Sequence, residues 1–293
     1  MIDEFNLLNI MHYVNYDLTD LNTMKLRSKA HVLVEPKDID ELKSVLDIVS
    51  KYKSKYFILG NGSNVILPIY YDGVCIKLNK LNNYTFDNGN IYAEAGCMIN
   101  VIANDVSNRG YTGLEWASHI PGTIGGSIYS NAGAYKGQIS DVITSITILD
   151  NGNIKTINNS EALFGYRTSI FRNDKNKIVL SCKMKVSKGN LEEIKSIIKE
   201  RLDKRIKSQP LNYPSCGSVF RNPDDIAAGK LIDDLGLKGY NVGDLCISEK
   251  HANFIINKGK GSKEDYDVLV KTIKDKVKKE YNIDLILEQE IIR

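Results

Sequence analysis

The apolar residues of this chain follow two different spacings. Three stretches repeat every three or four residues, as in an α-helix with one buried face; they cover residues 39–49, 191–206 and 262–277. Shorter alternating or continuous apolar runs, bounded by turn residues, predict β-strands; they lie at residues 30–35, 56–59, 74–78, 91–95, 142–149, 154–157 and 178–186. Because helices and strands are mixed along the chain, we expect an α+β fold.

The two ends of the chain extend this prediction. Residues 1–22 are expected to form a helical segment, and residues 283–292 a closing strand. The order of elements predicts three consecutive domains. Two lobes, 1–83 and 84–187, precede a C-terminal domain, 188–293, which begins with a long charged helix.

Composition restricts the classes of partner. The 293 residues are 42% apolar and 26% charged, and 39 basic residues nearly balance 36 acidic ones for a net charge of +3. No block of like charge is present, so neither nucleic acid nor a membrane surface is expected as a partner. Five scattered cysteines without CxxC spacing favour reduced thiols over disulfides or a metal site, and an acidic N-terminus without a long apolar run favours a cytoplasmic protein.

Residues 113–135 form the densest run of small and turn-forming residues. Its five glycines allow close approach of the backbone to a ligand; they are Gly113, Gly122, Gly125, Gly126 and Gly133. Pro121 and Gly122 predict a turn, and Thr123 is a suitable N-cap for a short helix. A helix start with free amides is a favourable phosphate site, while a tight surface loop without a ligand is the alternative.

An earlier glycine loop, Gly60-Asn61-Gly62-Ser63-Asn64, follows the predicted strand at 56–59 and is the first loop along the chain, so the loop around Gly122 to Gly126 is the second. A Rossmann glycine motif must open a helix, but the next residues look extended and end in Pro68. We therefore interpret the loop as a phosphate-binding turn between two strands.

Three further stretches place reactive groups beside turn residues. Arg167 is suited to bind a carboxylate or phosphate, with a surface ion pair as the alternative. Ser218 lies in a small-residue segment between two prolines, where no Gly-x-Ser-x-Gly elbow supports a serine hydrolase. Glu288 and Glu290 share one face of the predicted last strand, where carboxylates are usually solvated.

Seven short motifs follow one another along the chain, and together they resemble one protein family. They are GNGSN at 60–64, IPGTIGG at 120–126, SNAGAY at 130–135, YRTSIFR at 166–172, CGSVFRNP at 216–223, AGKLID at 228–233 and the closing LEQE. Their order and spacing resemble the UDP-N-acetylenolpyruvoylglucosamine reductases over nearly the whole chain.

This resemblance implies a two-lobed FAD-binding domain of the p-cresol methylhydroxylase-like type and a C-terminal α+β substrate domain. It implies NADPH-dependent, FAD-mediated reduction of the enolpyruvyl ether of a UDP-sugar to UDP-N-acetylmuramate, a peptidoglycan precursor. Neither Gly60 to Asn64 nor Gly122 to Gly126 contains a histidine, so non-covalent FAD is expected.

The resemblance also implies roles for individual residues. The proposed catalytic residues are Arg167 for the enolate, Ser218 as proton donor and Glu290 in support. The implied FAD-binding residues are Gly60, Asn61, Gly62, Ser63, Asn64, Pro121, Gly122, Thr123, Ile124, Gly125 and Gly126. Substrate contacts are expected from Tyr166, Asn131 and Asn222, and no metal is expected.

Two features depart from the common family pattern. The segment between Arg167 and Ser218 is short, as in the shorter form of the family. Family members often have a basic residue soon after the last glutamate, whereas here Ile291 and Ile292 stand between Glu290 and Arg293. Cys216 is an alternative proton donor. The rival functions are a flavin-dependent oxidase of a small alcohol or sugar on the same fold, and a non-catalytic nucleotide-binding module.

Overall fold

The computed structural model describes residues 1–224 and 226–293, and within them helices are interspersed among runs of strands. The helices are α1 (Ile2–Leu7), α2 (Ile39–Lys51), α3 (Ile99–Asn108), α4 (Ile124–Ser130), α5 (Ile170–Asn173), α6 (Leu191–Ser208), α7 (Ala228–Asp234) and α8 (Lys263–Tyr281).

The strands are mostly short. They are β1 (His12–Asp17), β2 (Lys29–Val34), β3 (Tyr56–Leu59), β4 (Val65–Ile66), β5 (Tyr70–Lys77), β6 (Tyr84–Asp87), β7 (Asn90–Glu94), β8 (Tyr111–Thr112), β9 (Gly133–Ala134), β10 (Gly137–Gln138), β11 (Ile143–Asp150), β12 (Asn153–Asn158), β13 (Lys177–Lys185), β14 (Ser187–Lys188), β15 (Asn241–Val242), β16 (Leu245–Ile247), β17 (Ile255–Asn257) and β18 (Glu290–Ile291).

The chain divides into two compact units that interleave in sequence. Unit 1 comprises Met1–His12, Val34–Asn61 and Cys75–Asp203, and unit 2 comprises Tyr13–Leu33, Gly62–Val74 and Lys204–Arg293. This division differs from the three consecutive domains expected at 1–83, 84–187 and 188–293. Spatial proximity defines the units, whereas the sequence pattern reports only the order of the elements. Unit boundaries fall within β1, β2, β5 and α6. One four-stranded sheet has the order β1-β2-β5-β3.

Unit 1 is built on a five-stranded antiparallel sheet with the order β12-β11-β13-β7-β6. The central strand β13 buries five consecutive residues, 178–182, because α4 and α5 also pack on it. Helix α3 buries Ile99, Ile102 and Val106 on one face. The sheet therefore provides a rigid base for the glycine-rich segment that contains α4.

Unit 2 has a core of apolar residues around β15, β16, β17, α7 and α8. The predicted stripe of α8 is confirmed, since Tyr266, Leu269, Ile273 and Val277 are buried together. Ser262 caps this helix, and its hydroxyl accepts the Asp265 N–H. The last strand, β18, pairs in parallel with β4, placing Glu290 opposite Val65.

Three sequence expectations about the elements were wrong. The first helix ends at Leu7 and residues 12–17 form a strand, in which two tyrosines and a valine fit a pleated backbone better than a helix. Of the predicted buried face of α6 only Ile194 is fully buried, and Ile206 is 50% exposed. The Asn190 side chain, which accepts the Glu192 and Glu193 N–H groups, supports the start of α6 locally.

The third error concerns the closing strand. Its ladder is limited to β18 because the chain changes partner along residues 286–292. Leu287 pairs with Phe220, whereas Glu290 and Ile291 pair with β4. No helix within the described residues is both long enough and apolar enough to cross a membrane.

Candidate active site

The start of the first glycine loop meets the second glycine loop within unit 1. The Asn61 side-chain amide donates to the Pro121 carbonyl at 2.9 Å. Gly60 lies so close to Thr123 that a Cβ there would be 2.7 Å from the Thr123 hydroxyl oxygen. The structure therefore brings Gly60 and Asn61 together with residues 121–123, which were predicted from separate motifs.

The second loop uses several of its own amides. Thr123 is the N-cap of α4, as predicted, and three successive N–H groups have protein acceptors. These are Ile124 to the Cys97 carbonyl (2.8 Å), Gly125 to the Ala95 carbonyl (2.9 Å) and Gly126 to the Thr123 hydroxyl (3.2 Å). The expectation of free amides at this helix start was therefore wrong for these residues, because the loop is anchored on residues 95–97.

The remaining residues of the first loop belong to unit 2. Gly62 has a left-handed φ of 65°, and its carbonyl accepts the Thr23 N–H at 3.0 Å. The Asn64 side chain donates to the Glu288 carbonyl at 3.4 Å, and the Asn64 carbonyl accepts the Glu290 N–H at 2.9 Å. Ser63 is half-buried. Asn64 thus links this loop to the closing LEQE motif.

Arg167 lies in a tight turn of unit 1. Gly165 and Thr168 exchange main-chain hydrogen bonds of 3.0 and 3.3 Å, which leaves Tyr166 and Arg167 at the tip. Arg167 has a φ of 55°, an uncommon conformation for a residue with a side chain. Its Nη2 donates to the Gly133 carbonyl at 2.6 Å, and its guanidinium carbon lies 5.3 Å from the centre of the Tyr166 ring. Backbone strain of this kind is frequent at functional sites.

Asn131 holds this turn in place. It ends α4 in a left-handed conformation and is 1% exposed. Its amide nitrogen donates to the Gly165 carbonyl at 2.9 Å and to the Gln138 side chain at 3.1 Å, and its oxygen accepts the Ser140 N–H at 3.3 Å. These contacts support the Arg167 turn, and the predicted substrate contact of Asn131 stays a prediction.

Ser218 lies on a segment that Asn253 supports. Ser218 bridges to Phe254, and Val219 N–H donates to the Asn253 carbonyl at 2.9 Å. The Asn253 side chain accepts the Phe220 N–H at 3.0 Å and donates to the Phe220 carbonyl at 2.8 Å. The side-chain amide therefore pairs with Phe220 as a main-chain partner would.

The neighbours of Ser218 serve other contacts. Cys216 is buried, its thiol lies 3.4 Å from the Thr23 hydroxyl and 3.4 Å from the Val65 carbonyl, and burial raises the pKa of this thiol. Because this thiol is buried among protein partners, the structure gives the alternative proton donor little support. The exposed Asn222 accepts the Ala228 N–H at 3.1 Å, close to the start of α7.

Glu290 is half-buried at the start of β18. Ser218 and Glu290 lie on neighbouring segments of unit 2, since Glu288 N–H donates to the Val219 carbonyl at 2.9 Å. Arg167 and Tyr166 belong to unit 1. Among the described residues, no cluster of three or more His, Cys, Asp and Glu side chains could hold a metal ion.

Two residues that support this region were missed in the sequence. Asn253 and Gln289 are both buried, at 3% and 1% exposure, and both use their side-chain amides to hold the Ser218 segment. The signal available in the sequence was an amide side chain within a run of mostly apolar residues, for Asn253, or between two charged residues, for Gln289. An amide side chain requires hydrogen-bond partners when it is buried. His251 lies beside Asn253, and burial lowers its pKa.

Comparison with known proteins gives two family matches. Residues 30–158 match the FAD binding domain, and residues 209–292 match the C-terminal domain of UDP-N-acetylenolpyruvoylglucosamine reductase. The reductase of Caldanaerobacter subterraneus subsp. tengcongensis is 40% identical over 282 residues, covering 96% of this chain and 93% of the relative. The chain belongs to the UDP-N-acetylenolpyruvoylglucosamine reductase family.

Other matches agree with this family. The UDP-N-acetylenolpyruvoylglucosamine reductase of Clostridium novyi is 39% identical, covering 95% of this chain and 91% of the relative. The crystal structure of the reductase from Thermus caldophilus superimposes with a TM-score of 0.82 at 30% identity, covering 97% of this chain and 99% of that one.

A more distant match concerns the fold alone. The 6-hydroxy-D-nicotine oxidase of Arthrobacter nicotinovorans has a TM-score of 0.51 at 12% identity, over 61% of this chain and 42% of that one. The predicted fold class is confirmed: an α+β reductase with an FAD-binding domain of the p-cresol methylhydroxylase-like type and a C-terminal α+β domain. The chain is an FAD-dependent oxidoreductase.

Proposed function

We propose that this chain reduces the enolpyruvyl ether of UDP-N-acetylglucosamine to the lactyl ether, giving UDP-N-acetylmuramate for peptidoglycan synthesis. NADPH is the electron donor and non-covalent FAD the cofactor. The observation that carries this proposal is the 40% identity to a reductase of that name over nearly the full length of both chains. All five cysteines are free and buried, which fits the cytoplasm as the proposed compartment.

The residues of unit 1 fit a flavin nucleotide. Gly60 has no side chain where the two loops approach and packs directly on the Thr123 side chain, and the Asn61 side chain holds the Pro121 carbonyl. Gly126 is exposed, and within 4 Å a Cβ there would meet only the Thr123 hydroxyl oxygen. We propose that Gly60 to Asn64 and Pro121 to Gly126 hold the FAD. When bound, FAD supplies the hydride that it receives from NADPH.

Arg167 is proposed to hold the substrate carboxylate. As the terminal enol carbon takes up hydride, negative charge develops on the adjacent carbon and is shared with that carboxylate. A guanidinium in a fixed orientation stabilises this charge without reorganisation. The contact with the Gly133 carbonyl and the tight Gly165–Thr168 turn provide that orientation.

Ser218 is proposed to donate a proton from its hydroxyl to the adjacent carbon, completing reduction of the double bond. A serine hydroxyl is a weak acid and serves here only because the carbanionic intermediate is very basic. Glu290 is proposed to orient the substrate or assist this transfer, while Tyr166, Asn131 and Asn222 remain proposed substrate contacts.

The proposal is tested by separating the two half-reactions anaerobically. The purified yellow protein is reduced with NADPH, the enolpyruvyl UDP-sugar is added, and the oxidised-flavin absorbance is followed. Prompt return of that absorbance is expected. Failure to reoxidise with this substrate, followed by rapid reoxidation in air, would identify the oxidase instead, and a colourless protein that cannot be reconstituted with FAD would identify a binding module.

The Ser218→Ala variant tests the proton donor. Flavin reduction by NADPH should stay close to the wild-type rate, while reoxidation by substrate should slow by about 100-fold or more, the usual range for loss of a general acid. Ser215→Ala removes a hydroxyl from the same segment and serves as the matched control. Equal rates of reoxidation in Ser218→Ala and wild type would exclude Ser218 as the donor.

A further inference from the structure

Gln289 lies between the two glutamates of the closing motif but faces the core of unit 2. It is 1% exposed. Its amide nitrogen donates to the Cys216 carbonyl at 2.9 Å and to the Gly217 carbonyl at 3.4 Å. Its oxygen accepts the hydroxyl of Tyr266, which is fully buried in α8, at 2.6 Å. Every polar atom of this side chain therefore has a protein partner.

These contacts continue a ladder that the main chain begins. Arg221 N–H donates to the Ile286 carbonyl at 2.9 Å, and Glu288 N–H donates to the Val219 carbonyl at 2.9 Å. Beyond Val219 the Gln289 side chain supplies the next hydrogen bonds, to the two carbonyls that precede Ser218. Ser218 is therefore held between a main-chain bond on one side and the Gln289 amide on the other.

Glu290 follows Gln289 directly. Its N–H donates to the Asn64 carbonyl at 2.9 Å, so the chain leaves the Ser218 segment and joins β4 at this residue. Gly217 has a φ of 70°, and a Cβ there would meet nothing within 4 Å. Space beside Gly217 is therefore open, so the Gln289 hydrogen bonds to the Cys216 and Gly217 carbonyls fix the main chain here, while the Cys216 side chain packs in the core of unit 2.

We infer that Gln289 is a positioning residue that sets Ser218 relative to Glu290. This inference rests on the proposed roles of those two residues. Gln289 does not contact substrate; it acts through the Cys216 and Gly217 carbonyls. Asn253 independently holds Phe220 through two hydrogen bonds, so loss of Gln289 should misplace Ser218 without releasing the whole segment.

The test begins with Gln289→Met, which keeps the length of the side chain but removes its N–H donors. This change also leaves the buried Tyr266 hydroxyl without its acceptor. The double variant Tyr266→Phe, Gln289→Met is therefore made as well, because it removes both partners of the Tyr266–Gln289 hydrogen bond. In the holoenzyme, flavin reduction by NADPH should stay within about twofold of wild type, while reoxidation by substrate slows by about 10- to 100-fold, as for small misplacement of a reacting group.

A double-mutant cycle separates positioning from general damage. If Gln289 acts through Ser218, adding Gln289→Met to Ser218→Ala should slow reoxidation no further. The inference would be overturned if the two substitutions together slowed reoxidation by the product of their separate factors. Normal reoxidation in a folded Gln289→Met protein would also overturn it. If Ser218→Ala alone reoxidises normally, the proposed proton donor fails first and the inference fails with it.

Asn257→Leu is the matched control for loss of a buried amide in unit 2. Asn257 is 2% exposed, and its amide nitrogen donates to the Met24 and Lys25 carbonyls at 3.0 and 3.2 Å. This variant should lower the midpoint of thermal unfolding while slowing neither half-reaction selectively. The same selective loss of reoxidation in Asn257→Leu would show that destabilisation alone explains the Gln289 result.

Discussion

The contact between Gly60 and Thr123 gives a sharp prediction about how the two glycine loops are joined. Gly60→Ala places a methyl group 2.7 Å from the Thr123 hydroxyl oxygen, well inside ordinary contact. Thr123 is the side chain that must move, and its hydroxyl is the N-cap of α4, accepting the Gly126 N–H. The substitution should therefore act through a helix that lies 64 residues further along the chain.

The size of the effect follows from two losses. Loss of the N-cap bond costs about 1 kcal/mol. Rotation of a stiff β-branched side chain away from its preferred rotamer costs about another 1 kcal/mol. Gly60→Ala should thus lower the free energy of unfolding by about 2 kcal/mol, and Thr123→Ala by about 1 kcal/mol. In the double variant the colliding hydroxyl is gone, so its cost should equal that of Thr123→Ala alone.

The assay is urea unfolding of the FAD-free protein, followed by circular dichroism, for wild type, both single variants and the double variant. Additive costs of about 3 kcal/mol in the double variant would refute the reasoning, because residues in contact must be coupled. If the two single variants lost similar amounts of unfolding free energy and these amounts simply added in the double variant, the damage would lie elsewhere in the loops.

Three further outcomes are expected. Arg167→Lys should slow flavin reoxidation by substrate by about 10-fold or more, because one ammonium group does not reproduce a two-point contact with a carboxylate; wild-type rates in both half-reactions would contradict this role. Gly62→Ala should cost more than about 3 kcal/mol of unfolding free energy or prevent folding, since its Cβ would lie 2.0 Å from the Leu21 carbonyl oxygen. Gly236 has a similar φ of 63°, but a Cβ there would meet nothing within 4 Å. Gly236→Ala should therefore cost only about 1 kcal/mol of unfolding free energy, and equal costs for Gly62→Ala and Gly236→Ala would rule out the steric explanation. The native protein should react slowly with a thiol reagent at pH 8 and expose five thiols on denaturation, because all five cysteines are buried and burial raises the pKa of Cys97 to about 11; rapid labelling of the native protein would contradict this.

Much of the fold was accessible from local patterns. The helices observed at 39–51 and 263–281 were predicted from the spacing of their apolar residues over 39–49 and 262–277, because that spacing is a property of one segment alone. The glycine loops were also recognised locally, and seven ordered motifs were sufficient to identify the family. The roles of Arg167, Ser218 and Glu290 remain predictions that the half-reaction measurements test.

The missed features all depend on contacts between distant segments. The sequence did not indicate that the Asn131 amide holds the Gly165 carbonyl 34 residues away, while its predicted substrate contact stays a prediction. Gln289 reaches Cys216 across 73 residues, and neither residue type indicates its partner in advance. The amides of Ile124 and Gly125 were expected to be free, but Cys97 and Ala95 accept them.

The amino-acid sequence was therefore sufficient for most of the element types, the family and the set of candidate residues, because periodicity and glycine-rich turns are local properties of the chain. Only the tertiary structure decided which amides are occupied, where the last strand changes partner and how the two units interleave. The physical reason is that a buried polar group must find a hydrogen-bond partner, and which partner it finds depends on segments that only folding brings into contact.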